Sequence, residues 1–207
     1  MIAALLLATT APMTPVEAER AFAADAQTLG QWTAFRKWAA PDAIMFDPQP
    51  VKTHQLLKDA KNPPKSIDWW PTASYISCDG TMAVNTGGWR RPDGTVGYFT
   101  TVWRKGSDDW RWTVDGGDAT PGVAPRSRAV KVERAACPGR YPAPWGAVES
   151  FRTGTTVGQG ESRDYSLHYH WIAEPDGGRR FQAVIRRASG DAVVIDDVIA
   201  APESKPQ

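Results

Sequence analysis

The sequence has little cysteine, with Cys78 and Cys137 as its two examples among 207 residues. Zinc and redox sites need several cysteines at short spacings, so this pair predicts neither kind of site. In an oxidising compartment the two thiols could pair, closing a loop of about 60 residues worth roughly 4 kcal/mol. Two unrelated buried thiols are the alternative, and the sequence leaves both open.

The chain also lacks a surplus of either charge. Its formal net charge is +1, which gives no electrostatic reason to expect nucleic acid or an anionic membrane as a partner. It contains no Gly-rich phosphate loop, no G-x-S-x-G elbow and no H-E-x-x-H motif. These absences argue against kinases, dinucleotide enzymes and nucleophilic hydrolases, and we expect no cofactor.

No apolar run is long enough to span a bilayer. The apolar run at the start of the chain, MIAALLLATTA at residues 1–11, has the length of a signal-peptide core, although no Lys or Arg precedes it. We therefore treat residues 1–14 as a signal-like segment. It predicts an exported protein, located in the periplasm, that does not cross the membrane.

Tryptophan is abundant, with ten residues in the chain. Each indole offers a large apolar face and one N–H, which suits both a protein core and an aromatic-lined pocket. Apolar content of 42% with 23% charged residues is typical of a globular protein. The length allows one core, or a domain of about 120 residues with an appendage.

The first element is predicted to be a helix. Thr14-Pro15-Val16-Glu17 combines an N-cap threonine, a proline at the first helical position and a glutamate three residues after the cap. Apolar residues then recur at helical spacing, with an interruption near Gly30: Ala18, Phe22, Leu29, Trp32 and Phe35. A short strand at 43–46 and a short helix at 53–58 follow.

From Ile67 onward, apolar residues recur at every second position, as they do in a β-strand. Strand-like runs cover about 67–78, 81–91, 95–105 and 109–115, joined by turns too short for anything but antiparallel neighbours. In the fourth run, Trp110, Trp112 and Val114 alternate with Arg111, Thr113 and Asp115. This alternation predicts one apolar sheet face, matched by the apolar stripe of the helix.

The helical stripe is followed by GQWTAF at 30–35, APDAIMF at 40–46 and the meander ending WRWTVDGGD at 110–118. In this order the elements resemble the nuclear transport factor 2-like superfamily, which includes ketosteroid isomerase, scytalone dehydratase and the SnoaL-like polyketide cyclases. The resemblance covers residues 15–118. It implies an α+β fold in which N-terminal helices pack on a curved antiparallel sheet, forming a cone with an internal cavity.

The rest of the chain is predicted to be a β-rich C-terminal extension. A polar linker at 119–128 leads to the extension at 129–200, and a polar tail occupies 201–207. Strand-like runs lie at 129–134, 147–156, 164–173, 179–187 and 192–198. Whether they join the sheet of the cone or form a separate layer stays open. A bridge between Cys78 and Cys137 would tie the extension to the cone.

In cones of this superfamily a ligand lies between helix and sheet, so the resemblance places large inward-facing residues around it. The residues predicted to bind a ligand are Trp32, Phe35, Phe46, Trp70, Trp89, Tyr98 and Trp112. An apolar cavity can raise the pKa of a carboxyl group into the range useful for acid/base catalysis. The candidates for acid/base roles are Asp47, His54 and Asp115.

The strand pattern argues against Asp115 in this role. If Trp112 and Val114 face inward, Asp115 faces outward unless a β-bulge intervenes. The dehydratase-like branch of the superfamily needs two histidines in the cavity, and the cone half holds His54 alone. Asp47, Tyr98 and Asp115 could imitate the isomerase-like branch, but no positional match supports that assignment.

His168 and His170 are the remaining histidines, and their spacing puts both on one face of a strand. An H-x-H pair is a known metal-ligand spacing, but two ligands do not complete a site. A carboxylate such as Asp164 or Asp196 would have to supply the third ligand. We expect a polar strand face and no metal.

Three functions are compatible with these features. The first is binding of a small hydrophobic or aromatic ligand in the cavity. The second is a cofactor-independent lyase or isomerase that uses acid/base chemistry in the same cavity. The third is an interaction module in which the β-rich extension or the outer face of the sheet docks a protein or a second copy of the chain, as in a homodimer.

Overall fold

A computed structural model describes residues 12–107, 109–137 and 152–202. The signal-like run at 1–11, the first half of the strand predicted at 147–156 and the end of the polar tail lie outside these ranges. The helices are α1 (Pro15–Leu29), α2 (Gln31–Trp38) and α3 (Thr53–Leu56). The strands are β1 (Ala39–Asp47), β2 (Gln49–Lys52), β3 (Asp68–Ile76), β4 (Met82–Arg90), β5 (Val96–Lys105), β6 (Trp110–Ala119), β7 (Lys131–Arg134), β8 (Thr156–Glu161), β9 (Leu167–Ala173), β10 (Arg179–Arg187) and β11 (Gly190–Ile199).

Helix α1 begins at the predicted capping box. The Thr14 hydroxyl accepts a hydrogen bond from the Glu17 backbone N–H, and the Glu17 carboxylate accepts one from the Thr14 N–H. The helix ends at Gly30, whose φ of 94° ordinary residues adopt at a cost. The predicted apolar stripe therefore lies on two helices, and Leu29 at the junction is 46% exposed.

The larger sheet has seven strands in the order β2-β1-β6-β5-β4-β3-β7. Strands β3 to β6 form the predicted antiparallel meander, with short turns between them. The sheet as a whole is mixed, because β1 runs parallel to β6 and β7 runs parallel to β3. The expectation of a purely antiparallel sheet is thus wrong at both flanks of the meander, where long connections allow parallel pairing.

Helix α1 packs against the inner face of this sheet. The ring of Phe22 lies 4.8 Å from that of Trp69 on β3, 6.1 Å from Trp103 on β5 and 6.3 Å from Trp112 on β6. One helical side chain can reach three strands because the sheet curves around the helix. Register shifts in the β3–β4 and β5–β6 pairs supply the bulges that increase such curvature.

The bulge between β5 and β6 changes the alternation read from the sequence. Val102 pairs with Val114, but Trp103 pairs with Trp112, so Thr113 is an extra residue in β6. Trp112 consequently belongs to the core on the α1 side, whereas Val114 belongs to a second core on the opposite side. The prediction that these two residues share a face is wrong for this reason.

The second core joins the two sheets. Strands β8 to β11 form a four-stranded sheet in the order β11-β10-β9-β8, separate from the larger one. Its buried face packs on the outer face of the larger sheet, and the residues that meet there include Val84, Val102, Val114, Leu167, Trp171, Ala183 and Ile185. The extension therefore divides, since β7 joins the larger sheet and β8 to β11 form a second layer.

A disulfide joins Cys78, just after β3, to Cys137, just after β7, with the two Cα atoms 5.1 Å apart. It decides between the two alternatives that the sequence left open. In the part of the chain that the structure describes, no helix is long and apolar enough to cross a membrane.

Candidate functional site: an aromatic cavity with a carboxyl group

A cavity of about 440 Å³ opens between the two front helices and the inner face of the larger sheet. Most of its wall is aromatic or aliphatic, and charged side chains are few. Its lining residues are Phe22, Gln31, Trp32, Phe35, Met45, Phe46, Ile67, Trp69, Trp89, Arg91, Phe99, Asp115, Gly116, Gly117, Asp118, Ala119 and Arg179. This volume and this lining are typical of sites for small organic molecules.

Four of the seven predicted ligand-binding residues line the cavity: Trp32, Phe35, Phe46 and Trp89. Trp70 and Tyr98 do not, because each is next in its strand to a lining residue, Trp69 or Phe99, and so faces the opposite side of the sheet. The Trp70 indole instead donates to the Ala124 carbonyl at 3.0 Å. Trp112 faces inward but is fully buried in the core and does not line the cavity.

The bulge at Thr113 turns Asp115 into the cavity. The carboxylate of Asp115 accepts a 2.7 Å hydrogen bond from the hydroxyl of Thr101, its partner on β5. Burial raises the pKa of Asp115 to about 7, the Thr101 hydrogen bond acts in the opposite direction, and the charge of Glu19 raises the pKa further. A carboxyl group that titrates near neutral pH can both donate and accept a proton.

Glu19 is a second buried carboxyl group, and it was not among the residues predicted from the sequence. Its carboxylate accepts hydrogen bonds from the indoles of Trp69 at 2.9 Å and Trp103 at 2.7 Å, and from the Asn85 amide at 3.2 Å. Burial raises its pKa to about 7, although all three donors favour the ionised form. A signal was present, because Glu19 lies three residues before Phe22 on the apolar stripe of α1.

Asp47 and His54, the other two acid/base candidates, lie outside the cavity. Asp47 is exposed at the β1–β2 hairpin, where it pairs with Gln49. His54 is exposed on α3, and its Nε2 lies 3.2 Å from the Ala40 carbonyl oxygen. The structure therefore brings Asp115 alone, among the three candidates, to the cavity wall.

Two arginines and one aspartate line the same end of the cavity. Arg91 follows β4, and its guanidinium lies 5.1 Å from the Trp89 ring. Arg179 comes from β10 of the second sheet, where its guanidinium donates to the Gly117 carbonyl at 2.7 Å and lies 5.4 Å from the Phe46 ring. Asp118 accepts a hydrogen bond from the neighbouring Ala119 N–H. The extension thus contributes directly to the site, which the sequence did not predict.

His168 and His170 lie on β9, away from the cavity. Burial lowers the pKa of His168 to about 4 and also lowers the pKa of His170. The two carboxylates considered as a third metal ligand bind elsewhere: Asp164 accepts from Ser162 and Ser166, and Asp196 pairs with Arg180. Within the described ranges, no group of three or more metal-ligating side chains forms.

The similarities of this chain to known proteins are similarities of structure. No family model and no curated protein matches the sequence. Solved structures do match. An NTF-2-like protein of unknown function from Shewanella oneidensis MR-1 is 18% identical with a TM-score of 0.41, and the match covers 50% of this chain and 98% of that one.

Two further structures are similar at the same level. One, described as a candidate aromatic ring hydroxylase from Novosphingobium aromaticivorans, is 13% identical with a TM-score of 0.38, covering 52% of this chain and 87% of that one. The other, described as a candidate calcium/calmodulin dependent protein kinase II association domain from Xanthomonas campestris, is 15% identical with a TM-score of 0.38, and the match covers 57% of this chain and 100% of that one. With TM-scores below 0.5, none of these likenesses bears on ligand or activity.

Proposed function

We propose that the chain is an NTF-2-like cone that binds a small aromatic or apolar molecule in its cavity. The observation that carries this proposal is the cavity itself, about 440 Å³ in volume, with Trp32, Phe35, Phe99 and other rings in its wall. Aromatic walls favour planar ligands through apolar burial and ring-to-ring contacts. Asp115, one of the polar groups in the cavity wall, would orient such a ligand by a hydrogen bond.

Binding of the neutral fluorophore N-phenyl-1-naphthylamine tests this proposal. We expect saturable binding to the wild type, displaced by small aromatic molecules and weakened at least tenfold by Trp32→Ala, which removes a partly exposed cavity wall. Trp70→Leu, on the other face of the sheet, is the matched control and should bind the probe normally. Absence of saturable binding in a folded wild-type protein would refute the proposal.

A second candidate function is acid/base catalysis by Asp115. It is favoured by the position of Asp115 in the wall of an aromatic cavity, where burial raises the pKa of its carboxyl group to about 7. Ketosteroid isomerase, one member of the superfamily that the sequence resembles, uses an apolar site to keep a carboxylic acid neutral at pH 7. Proton transfer within a bound ligand, as in an isomerase or lyase, needs no metal or cofactor.

Hydrogen exchange into a bound carbon acid distinguishes catalysis from binding. A catalytic Asp115 predicts deuterium incorporation at the carbon next to the carbonyl of 2-tetralone, faster with wild type than with Asp115→Asn. Equal rates for the two proteins, with probe binding intact in both, would leave binding as the function and exclude catalysis by Asp115 on this class of ketone.

We also propose that the protein is exported to an oxidising compartment. The disulfide between Cys78 and Cys137 supports this, because such bonds persist outside the reducing cytosol. N-terminal sequencing of the protein isolated from a periplasmic fraction tests it. Removal of a signal-like segment ending near residue 14 is expected, and an uncleaved protein in the cytosol would contradict export.

A further inference from the structure

Arg179 is an unusual member of the cavity wall, because it is a half-buried cation that comes from the second sheet. Burial lowers its pKa, and the charge of Asp118 acts in the opposite direction. Among the described residues, its guanidinium makes one hydrogen bond, to the Gly117 carbonyl, and no ion pair. A partly desolvated guanidinium with most of its donors unused is well suited to bind an anion.

The surroundings direct this cation toward a ligand in the cavity. Gly116 and Gly117 line the wall beside it, and a Cβ atom at Gly116 would lie 3.2 Å from the Phe46 ring, so the absence of a side chain there leaves room next to that ring. Arg91 lines the same end of the cavity. It follows β4, and the last residues of β4 and of β6 pair with the first residues of β5, on either side of that strand. With Asp118, the formal charges of these three side chains sum to +1.

Distance also fits a particular kind of ligand. Gly117, whose carbonyl accepts the hydrogen bond from Arg179, lies two residues along β6 from Asp115. In an extended strand the backbones of two such residues are roughly 7 Å apart. A fused or single aromatic ring can span that gap. We infer that the ligand is an aromatic carboxylate whose anionic group is bound by Arg179, with support from Arg91, while the ring lies among the aromatic residues.

This inference rests on the proposed binding function and is tested separately from it. Calorimetric titration of the wild type compares 2-naphthoate with the uncharged 2-naphthol, which presents the same ring system. We expect tighter binding of 2-naphthoate, and an affinity for it that falls with added salt while that for 2-naphthol does not. Arg179→Gln should weaken 2-naphthoate binding about tenfold more than it weakens 2-naphthol binding, so that the preference for the anion is lost.

Arg180 supplies the matched control. It is the next residue on β10, it points away from the cavity and it forms an ion pair with Asp196 at 2.7 Å. Arg180→Gln should bind both compounds as the wild type does. Arg179→Lys keeps the charge without the planar donor pair and should retain part of the preference, which guards against a loss caused by misfolding of Arg179→Gln.

The possible outcomes distinguish the inference from the binding function. Equal affinities for 2-naphthoate and 2-naphthol, both insensitive to Arg179→Gln, would overturn the inference and leave the binding function intact. Binding of neither compound, together with no binding of N-phenyl-1-naphthylamine, would overturn the binding function and the inference with it.

Discussion

The hydroxyl of Thr101 on β5 donates a 2.7 Å hydrogen bond to the carboxylate of Asp115, its partner on β6 and a residue of the cavity wall. The contact exists because Thr113 is an extra residue in β6, which shifts the alternation of the strand by one position. The same shift leaves Trp112 on the inner side and sends Val114 to the interface with the second sheet. One bulge thus places the titratable group of the proposed site.

Removing the Thr101 hydroxyl should raise the pKa of Asp115. The hydrogen bond stabilises the carboxylate, so Thr101→Val is expected to move the pKa upward from about 7 by roughly one unit, or 1.4 kcal/mol. Carbon-13 NMR of labelled aspartate carboxyl groups measures the change.

Thr100 is the control for this prediction. It neighbours Thr101 but faces the second sheet, where its hydroxyl donates to Asp197 at 2.7 Å. Thr100→Val should leave the Asp115 titration unchanged, and a similar shift in both variants would contradict the geometry.

The stability of the protein should depend on the ionisation of Asp115. Its pKa is higher in the folded chain, about 7, than the ordinary value of 3.8, so the folded state binds the proton more tightly. Protonation of Asp115 therefore adds to the free energy of unfolding at low pH. This contribution falls as the pH rises from about 4 to about 7 and does not change further above that. Between pH 4.5 and 7.5 the wild type should lose about 3 kcal/mol more unfolding free energy than Asp115→Asn.

Urea unfolding at several pH values measures this difference. Asp47→Asn, at the exposed β1–β2 hairpin, should follow the wild-type pH trend. If Asp115→Asn follows it as well, Asp115 does not bind a proton preferentially in the folded state.

Glu19 should be essential to the core beneath the cavity. Glu19→Leu leaves the indole N–H groups of Trp69 and Trp103 without their acceptor, and a buried unsatisfied donor costs about 1–3 kcal/mol. We expect a loss of several kcal/mol in unfolding free energy, and a smaller loss for Glu19→Gln, whose amide oxygen can still accept. A leucine variant as stable as the wild type would show that these hydrogen bonds add nothing to stability.

The disulfide should stabilise the attachment of the extension. It closes a loop with a sequence separation of 59 residues, and the loop-entropy relation gives about 4 kcal/mol for a loop of this size. Replacing Cys78 and Cys137 by serine should therefore lower the melting temperature by about 10 °C, as judged from typical unfolding entropies. Reduction of the wild type should have a similar effect, and it should not affect the serine variant.

The local parts of the fold could be predicted from the sequence, and the non-local parts could not. The capping box at Thr14 and the turns of the meander depend on neighbouring residues, whose chemistry is visible in the sequence. The bulge at Thr113 leaves no such mark, since the run still alternates and the extra residue appears only through pairing with β5. For this reason the sequence pattern places Asp115 on the opposite face of the sheet from Trp112, whereas both face the α1 side.

The site residues divide in the same way. Trp32 and Phe35 could be found because they continue the stripe of α1 across Gly30. Trp70 was assigned to the wrong side because two tryptophans stand together in β3, and periodicity cannot tell which of them faces α1. Arg179 reaches the cavity through sheet-on-sheet packing, a contact between residues more than 60 positions apart.

The tryptophans offer the most direct test of the cavity as a ligand site, because they lie on both sides of the larger sheet. With the indole nitrogens labelled, NMR spectra are recorded while 2-naphthol is added. We expect large shifts for Trp32, Trp69 and Trp89, which line the cavity, and little change for Trp70 and Trp110, which do not. Shifts confined to Trp70 and Trp110, or uniform small shifts of all indoles, would contradict ligand binding in the cavity.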